Sequence, residues 1–209
     1  MKTGERIEII DSGAQRFFAT LTLANHRVTA HLDEVAPPVL EGDRFQVSIA
    51  QALPKGQKMD LVVEKLTELG VAEIYPLYSE RTVVEDIGPG KFERWRRLAK
   101  SASEQCGRAT IPVLHEVQSF DAFVECFAKF DVVLFAWELA DMPPLREKLP
   151  GLLQDATTIL AIVGPEGGFS NDEAARAREA GAHLVSLGRR ILRTETAALV
   201  IAAILNYLA

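Results

Sequence analysis

Cysteine is scarce in this chain. Of its 209 residues only Cys106 and Cys126 are cysteines, and neither sits in a CxxC pattern or beside a cluster of histidines. Four ligands at workable spacing are missing, which excludes structural zinc; no metal is predicted. Two isolated thiols read as free cysteines in a reducing compartment, which predicts a cytoplasmic protein. Long apolar runs are missing as well. No stretch of about 18 uninterrupted apolar residues occurs, so no membrane span is predicted. The opening residues, MKTGERIEII, lack the apolar core of a secretory signal. An excess of positive charge is also absent. With 23 Lys and Arg against 29 Asp and Glu, the net charge is -6, which argues against a general nucleic-acid binder.

What charge there is lies unevenly. Between Lys91 and Arg108, six basic residues (Lys91, Arg94, Arg96, Arg97, Lys100, Arg108) accompany two acidic ones, Glu93 and Glu104. Arg189, Arg190 and Arg193 form a second cluster. An acidic protein with two basic patches can hold a polyanion locally and repel it elsewhere, although solvated helix faces look the same in sequence.

Two kinds of pattern follow one another along the chain. RIEIID, QRFFATLTL and HRVTAHL read as strands, with Asp11-Ser12-Gly13 as a turn between the first two. DEVAPPVLEGD then breaks the pattern with Pro37, Pro38 and Gly42, and a domain boundary is placed there, giving domains 1–43 and 44–209. Three short strands are too few for an independent sheet, so residues 1–43 read as part of a small barrel. Beyond the boundary, strands alternate with helices, the mark of an α/β domain. RFQVSIAQAL, VAEIYPLY, FDVVLFAWE, TTILAIVG and AHLVSLG read as strands. Their continuous apolar runs predict a parallel sheet covered on both faces. QKMDLVVEKLTELG is a helix with Met59, Val62, Leu66 and Leu69 on one stripe and Gly70 as its stop. KFERWRRLAKSASEQCGR is a second, with Phe92, Trp95, Leu98, Ala102 and Cys106 inward and Arg97, Ser101, Glu104 and Arg108 outward, Gln105 beside them. The last helix, TETAALVIAAILNYLA, is apolar all round, which predicts burial on most sides, either as a core helix or against a second subunit.

Three strand ends carry distinctive residues: FAWELA, GPEGGFSNDE and LGRRILRTETA. Ligands of open parallel sheets bind at the carboxyl ends of strands, where these loops would be neighbours. GPEGGF is neither a Walker loop nor GxGxxG. Gly167 and Gly168 allow positive φ and close backbone approach. Ser170 suits the N-cap of the following helix, and Asp172 and Glu173 suit its positive end. With Glu166, those carboxylates would repel a phosphate, so a ligand with a neutral heterocycle and, elsewhere, a positive charge fits better. In the third loop, arginines beside an enclosed site can orient an RNA phosphate or stabilise an anionic transition state, and Thr194 or Thr196 is expected to cap the last helix.

IVGPEGGFSNDE together with LGRRILRTETAALVIAAIL resembles the C-terminal signature of the RsmE-type 16S ribosomal RNA uracil-N3-methyltransferases, of the SPOUT or α/β-knot superfamily. AQALPKGQKMDLVVEKLTELGV and RWRRLAKSASEQCGR support the match, which covers residues 44–209. The resemblance implies a trefoil-knotted α/β methyltransferase domain, a rare exception to the rule against knots, preceded by a PUA-like RNA-binding β domain that is shorter here than in the family. The part not present carries a His-His…Leu-Arg segment thought to bind RNA or to catalyse. It also implies S-adenosyl-L-methionine as cofactor, a homodimer, and 16S rRNA in the 30S subunit as partner, with no membrane or metal. By position, the cofactor would contact Leu134, Glu138, Gly164, Pro165, Glu166, Gly167, Gly168, Leu187, Gly188, Ile191, Leu192 and Thr194. Arg97, Glu104, Gln105, Arg108, Arg189 and Arg190 are candidates for RNA contact.

The implied reaction is methyl transfer to a ring nitrogen between two carbonyls, protonated near neutral pH. Something must accept that proton and something must stabilise charge on the carbonyl oxygens. Arg193 is the candidate for the second role, and Glu195 or a water for the first. Three rival readings remain at this point: a non-catalytic RNA-binding member of the fold, a ribose 2′-O-methyltransferase, and a nucleotide-phosphate enzyme using the glycine turn, against which the acidic turn speaks.

Overall fold

A computed structural model describes residues 1–11, 15–37, 44–84, 87–138 and 144–209. Ser12 and Gly13 of the expected first turn, and Pro38 and Gly42 of the expected boundary, lie outside them. The chain divides into two compact units, Met1–Gly42 with Gly107–Thr110, and Asp43–Cys106 with Ile111–Ala209.

The first unit is an antiparallel sheet in the order β1 (Arg6–Ile10), β2 (Arg16–Ala24), β3 (Arg27–Val35). Asn25 and His26 link β2 to β3 with φ of 50° and 61°, the double positive φ of a two-residue I′ hairpin. His26, expected in a strand, is therefore a turn residue. Its buried apolar side chains are Ala19, Leu21 and Ala36, and all nine residues of β3 are exposed. Ion pairs Arg16–Glu8 and Arg6–Glu34 and a 2.8 Å bond from Thr20 to Asp33 run between the strands.

The second unit is built on a parallel sheet. Its strands are β4 (Gln46–Ala52), β5 (Glu73–Tyr78), β6 (Val113–Leu114), β7 (Gln118–Ser119), β8 (Val132–Ala136), β9 (Thr158–Val163) and β10 (His183–Val185). The order is β10-β8-β9-β4-β5-β6, with β7 also on β5. Side chains alternate between two cores, as period-2 strands buried on both faces require. Val47, Ile49, Leu134, Ile159 and Ala161 face one; Ala50, Phe135, Leu160 and Ile162 face the other. The first is covered by α1 (Lys58–Glu68), α2 (Pro89–Cys106), α4 (Leu145–Leu152) and α6 (Thr194–Leu208). The second is covered by α3 (Phe120–Val124), the 3₁₀ turn Glu125–Lys129 and α5 (Asn171–Glu179).

Local chemistry sets the helix ends. Gly70 (φ 82°) follows α1, with Val71 N–H donating to Leu66 O and Gly70 N–H to Thr67 O, both at 3.1 Å; this is the Schellman pattern. The inward stripe of α2 is Phe92, Trp95, Ala99, Ala102 and Ser103. Cys106, expected on that stripe, is exposed: it is the last residue of the helix. Trp95 is fully buried, and its Nε1 donates to Asp60 at 2.9 Å, tying α2 to α1.

Candidate functional site

Because β8, β9 and β10 run parallel, their carboxyl ends open on one edge. There the chain forms a cavity of about 370 Å³, lined by Ala136, Trp137 and Glu138 after β8, Val163 to Glu166 and Gly168 after β9, and Ser186 to Gly188 and Arg190 to Thr194 after β10, with Ala197 and Lys58. That volume lies in the range of about 300–1,000 Å³ typical of small-molecule sites.

The loops are held by their own sequences. Ser170 caps α5: its hydroxyl accepts from Glu173 N–H at 3.2 Å, while Glu173 Oε2 accepts from Ser170 N–H at 2.8 Å. This reciprocal box satisfies two end donors of the helix. The other oxygen of buried Glu173 accepts from Glu80 N–H at 2.9 Å, which draws in the segment after β5. From there Arg81 Nη1 donates to Gly167 O at 2.8 Å. Gly168 has φ 66°, and a Cβ on it would collide with Glu138 Oε1 and lie 3.2 Å from Glu138 Cδ. Glycine suits that positive φ and leaves room for the Glu138 carboxylate beside the β9 loop. In the third loop the Ser186 hydroxyl accepts from Gly188 N–H at 3.2 Å and closes the turn.

Two polar groups under the cavity join distant segments. Gln51, fully buried at the end of β4, donates Nε2 to Ala52 O (2.7 Å), to Thr194 Oγ1 (2.8 Å) and toward Gly164 O (3.4 Å). Lys58, at the start of α1, lies 2.7 Å from Glu166 Oε1 and 3.4 Å from Glu195 Oε2. Glu166 also accepts from Lys55 N–H at 3.1 Å. The Glu166 carboxylate raises the Lys58 pKa. Partial burial pushes the Glu166 carboxyl upward, but the hydrogen bonds from Lys58 and main-chain N–H groups outweigh it, so its pKa is lowered. Both groups stay charged near neutrality.

Glu138, Gly164, Pro165, Glu166, Gly168, Leu187, Gly188, Ile191, Leu192 and Thr194, read from sequence, all line the cavity, and so does Arg193. Leu134 does not: it sits mid-strand in the sheet core, fully buried. A residue two before the strand end on the core face cannot turn to the loops, and Ala136 and Trp137 take that place. Gly167 is likewise outside the lining, its carbonyl occupied by Arg81. Thr194 caps nothing. Arg193 is the N-cap residue of α6 without a side-chain cap, while Thr194 donates its hydroxyl to Gly164 O. Arg190 lines the cavity and Arg189 does not. Arg97, Glu104 and Gln105 are exposed on α2 away from the cavity lining; Arg108 is half-buried beyond the helix and groups with the N-terminal unit. Trp137 falls within the FAWELA loop read from sequence; sequence reasoning missed Lys58, Ser186 and the supporting Gln51 and Arg81. Their roles depend on strand order, for which no local signal exists.

The arrangement resembles known proteins. A family model described as an RNA methyltransferase domain matches residues 41–206. Ribosomal RNA small subunit methyltransferase E of Synechocystis is 34% identical over 209 residues, covering 100% of this chain and 68% of its own length. The Bacillus subtilis protein of the same name is 34% identical over 169 residues, covering 78% of this chain and 66% of its own. The chain thus spans about two thirds of the length of these relatives. The crystal structure of a ribosomal RNA small subunit methyltransferase E from Neisseria gonorrhoeae bound to S-adenosyl methionine superposes with a TM-score of 0.87 at 30% identity, over 100% of this chain and 85% of that one. A putative methyltransferase from Legionella pneumophila with the same cofactor gives 0.89 at 32% identity, over 100% and 85%. By fold, by loop sequence and by identity along its whole length, the chain belongs to the ribosomal RNA small subunit methyltransferase E family of RNA methyltransferases.

Proposed function

We propose that the protein transfers the methyl group of S-adenosyl-L-methionine to N3 of a uridine in 16S ribosomal RNA, acting on the 30S subunit in the cytoplasm. One observation carries this reading: three strand ends converge on one cavity lined by Gly164, Gly168 and Gly188 and by the carboxylates of Glu138 and Glu166, a lining that suits a positively charged ligand better than a phosphate. The relatives solved with that cofactor support it.

The site fits the cofactor in volume and in donor chemistry. Gly164 to Gly168 and Leu187 to Gly188 would hold the purine through main-chain groups, and Glu138 and Glu166 are compatible with a positive sulfur. Bound there, the cofactor supplies an electrophilic methyl group. Arg193 is exposed, lines the cavity and makes no ion pair or side-chain hydrogen bond among the described residues. It stabilises charge on the uracil carbonyl oxygens as the N3 proton leaves. Glu195 or a water accepts that proton. Glu195 Oε2 faces Lys58 at 3.4 Å and the residue is not part of the lining, which favours the water.

Residues 44–209 form, in this reading, a trefoil-knotted SPOUT domain, and residues 1–43 part of a PUA-like barrel that binds RNA. Arg97, Glu104, Gln105, Arg108, Arg189 and Arg190 contact the RNA. A second copy covers the outer face of α6, where Ile204, Tyr207 and Leu208 are exposed at 37%, 90% and 44%.

The test incubates unmodified 30S subunits with this chain and labelled methyl donor and identifies the product nucleoside by mass spectrometry. N3-methyluridine is expected. A 2′-O-methyl nucleoside would replace the base reading with the ribose one. Cofactor binding in calorimetry without any transfer would support a non-catalytic RNA-binding role instead.

A further inference from the structure

We propose that Lys58 is a positioning residue that locks the Gly164–Gly168 loop to the first turn of α6 and thereby sets the place of Arg193; this rests on the methyltransferase reading above. The two halves of the site come from distant parts of the chain. Glu166 belongs to the β9–α5 loop and Glu195 to α6, and the Lys58 ammonium lies 2.7 Å from the one and 3.4 Å from the other. Nothing else charged among the described residues pairs with either carboxylate. Glu195 is 13% exposed and its Oε2 is buried without an aligned hydrogen bond, so its neutralisation depends on Lys58. Remove that charge and two carboxylates stand close together with no cation between them, which forces them apart or forces one to take up a proton.

The geometry says what would move. Glu195 is two residues from Arg193 and follows Thr194, whose hydroxyl bonds to Gly164 O. Lys58 and Thr194 therefore join the same two segments, one by charge and one by hydrogen bond. The loop is also fixed to the stretch before α1, where Lys55 N–H reaches Glu166 Oε1 at 3.1 Å and Oε2 at 3.3 Å. Lys58 extends that attachment across to α6. A lysine in a pocket for a positive ligand would be unfavourable on its own. Here two carboxylates outweigh it, so the trio is net negative. Its pKa, raised by Glu166, agrees with a permanently charged clamp.

The test compares wild type with Lys58→Met, which keeps the length and deletes the charge, and Lys58→Arg, which keeps the charge. In the ligand-free protein, hydrogen exchange of the amides at Glu166, Gly168 and Ala197 should rise at least about tenfold in Lys58→Met and stay near wild type in Lys58→Arg. In transfer assays Lys58→Met should lower kcat by about tenfold to a hundredfold with KM for 30S subunits unchanged, since a small misplacement of an orienting group acts on the chemical step. If Lys58→Met does not fold, Lys58→Met combined with Glu166→Gln, which removes the repulsion, takes its place and should show the same loosening at Ala197. Wild-type exchange and kcat in Lys58→Met would overturn the proposal, and so would equal damage from Lys58→Arg. A wild-type protein that transfers no methyl group, with exchange still dependent on Lys58, would overturn the enzymatic reading and leave the clamp standing.

Discussion

Thr194, the first residue of α6, donates its hydroxyl to the carbonyl of Gly164 just after β9, and Thr194 Oγ1 in turn accepts from Gln51 Nε2 at 2.8 Å. One hydroxyl thus joins the last helix, the glycine loop and the central strand. Thr194→Val keeps the shape and removes both bonds, leaving the fully buried Gln51 amide with Ala52 O and only the long 3.4 Å contact to Gly164 O. A loss of about 1–3 kcal/mol is expected, read as a shift of the urea midpoint with an unchanged slope. Cofactor affinity in calorimetry should fall in the same variant, because Gly164 lines the cavity.

Gly168 has a sharper requirement. Its φ is 66°, and a methyl group would meet the Glu138 carboxylate. Gly181 has φ 95° but open space around it. Both Gly→Ala variants bear the left-handed backbone cost of about 1–2 kcal/mol. Only Gly168→Ala should also abolish measurable S-adenosyl-L-methionine binding. Equal binding in the two variants would separate the cavity from the cofactor.

The Arg193 side chain makes no ion pair or hydrogen bond among the described residues, and the residue lines the cavity. Its proposed task arises only as charge develops on the uracil. Arg193→Ala should therefore lower kcat about a hundredfold or more while leaving donor affinity near wild type. A change confined to donor affinity would assign the guanidinium to binding instead.

Asp131 gives a prediction away from the site. Its carboxylate accepts from the N–H and hydroxyl groups of Thr157 and Thr158 at 2.8–3.1 Å, pinning the start of β8 to the start of β9. The Thr157 backbone N–H is the largest cause of a pKa lowered to about 2 from 3.8. A depressed carboxyl stabilises the fold above its unfolded pKa and loses that contribution as pH falls through the folded one. Stability should therefore decline between about pH 4 and pH 2, and Asp131→Asn should flatten that part of the profile in thermal melts.

Much of the second unit was legible because its signals are local. Apolar runs such as VVLFA and TILAIV sit buried on both faces, and Ser170 with Glu173 announces its own helix. Gly70 marks its stop by the φ it adopts. The misses share a physical cause. Lys58, Gln51 and Arg81 act across the sheet, through partners that only strand order brings near. Leu134 was placed at the site because a loop was assigned from the strand's middle instead of its end. The β2–β3 turn was hidden because Asn25-His26 lacks the glycine that usually announces positive φ.

The central strand of the second unit carries a kinetic consequence. Along β4, Gln46 pairs with Thr158 on one side, while Ser48 pairs with Glu73 on the other. One edge can zip as soon as α1 has formed. The opposite edge must wait for a partner from a far later stretch of the polypeptide, leaving Val47 and Ile49 beside unpaired backbone meanwhile. Closing so long a loop is slow and leaves sticky intermediates. Refolding from denaturant should consequently be sluggish and concentration-limited, with aggregation as its main competitor.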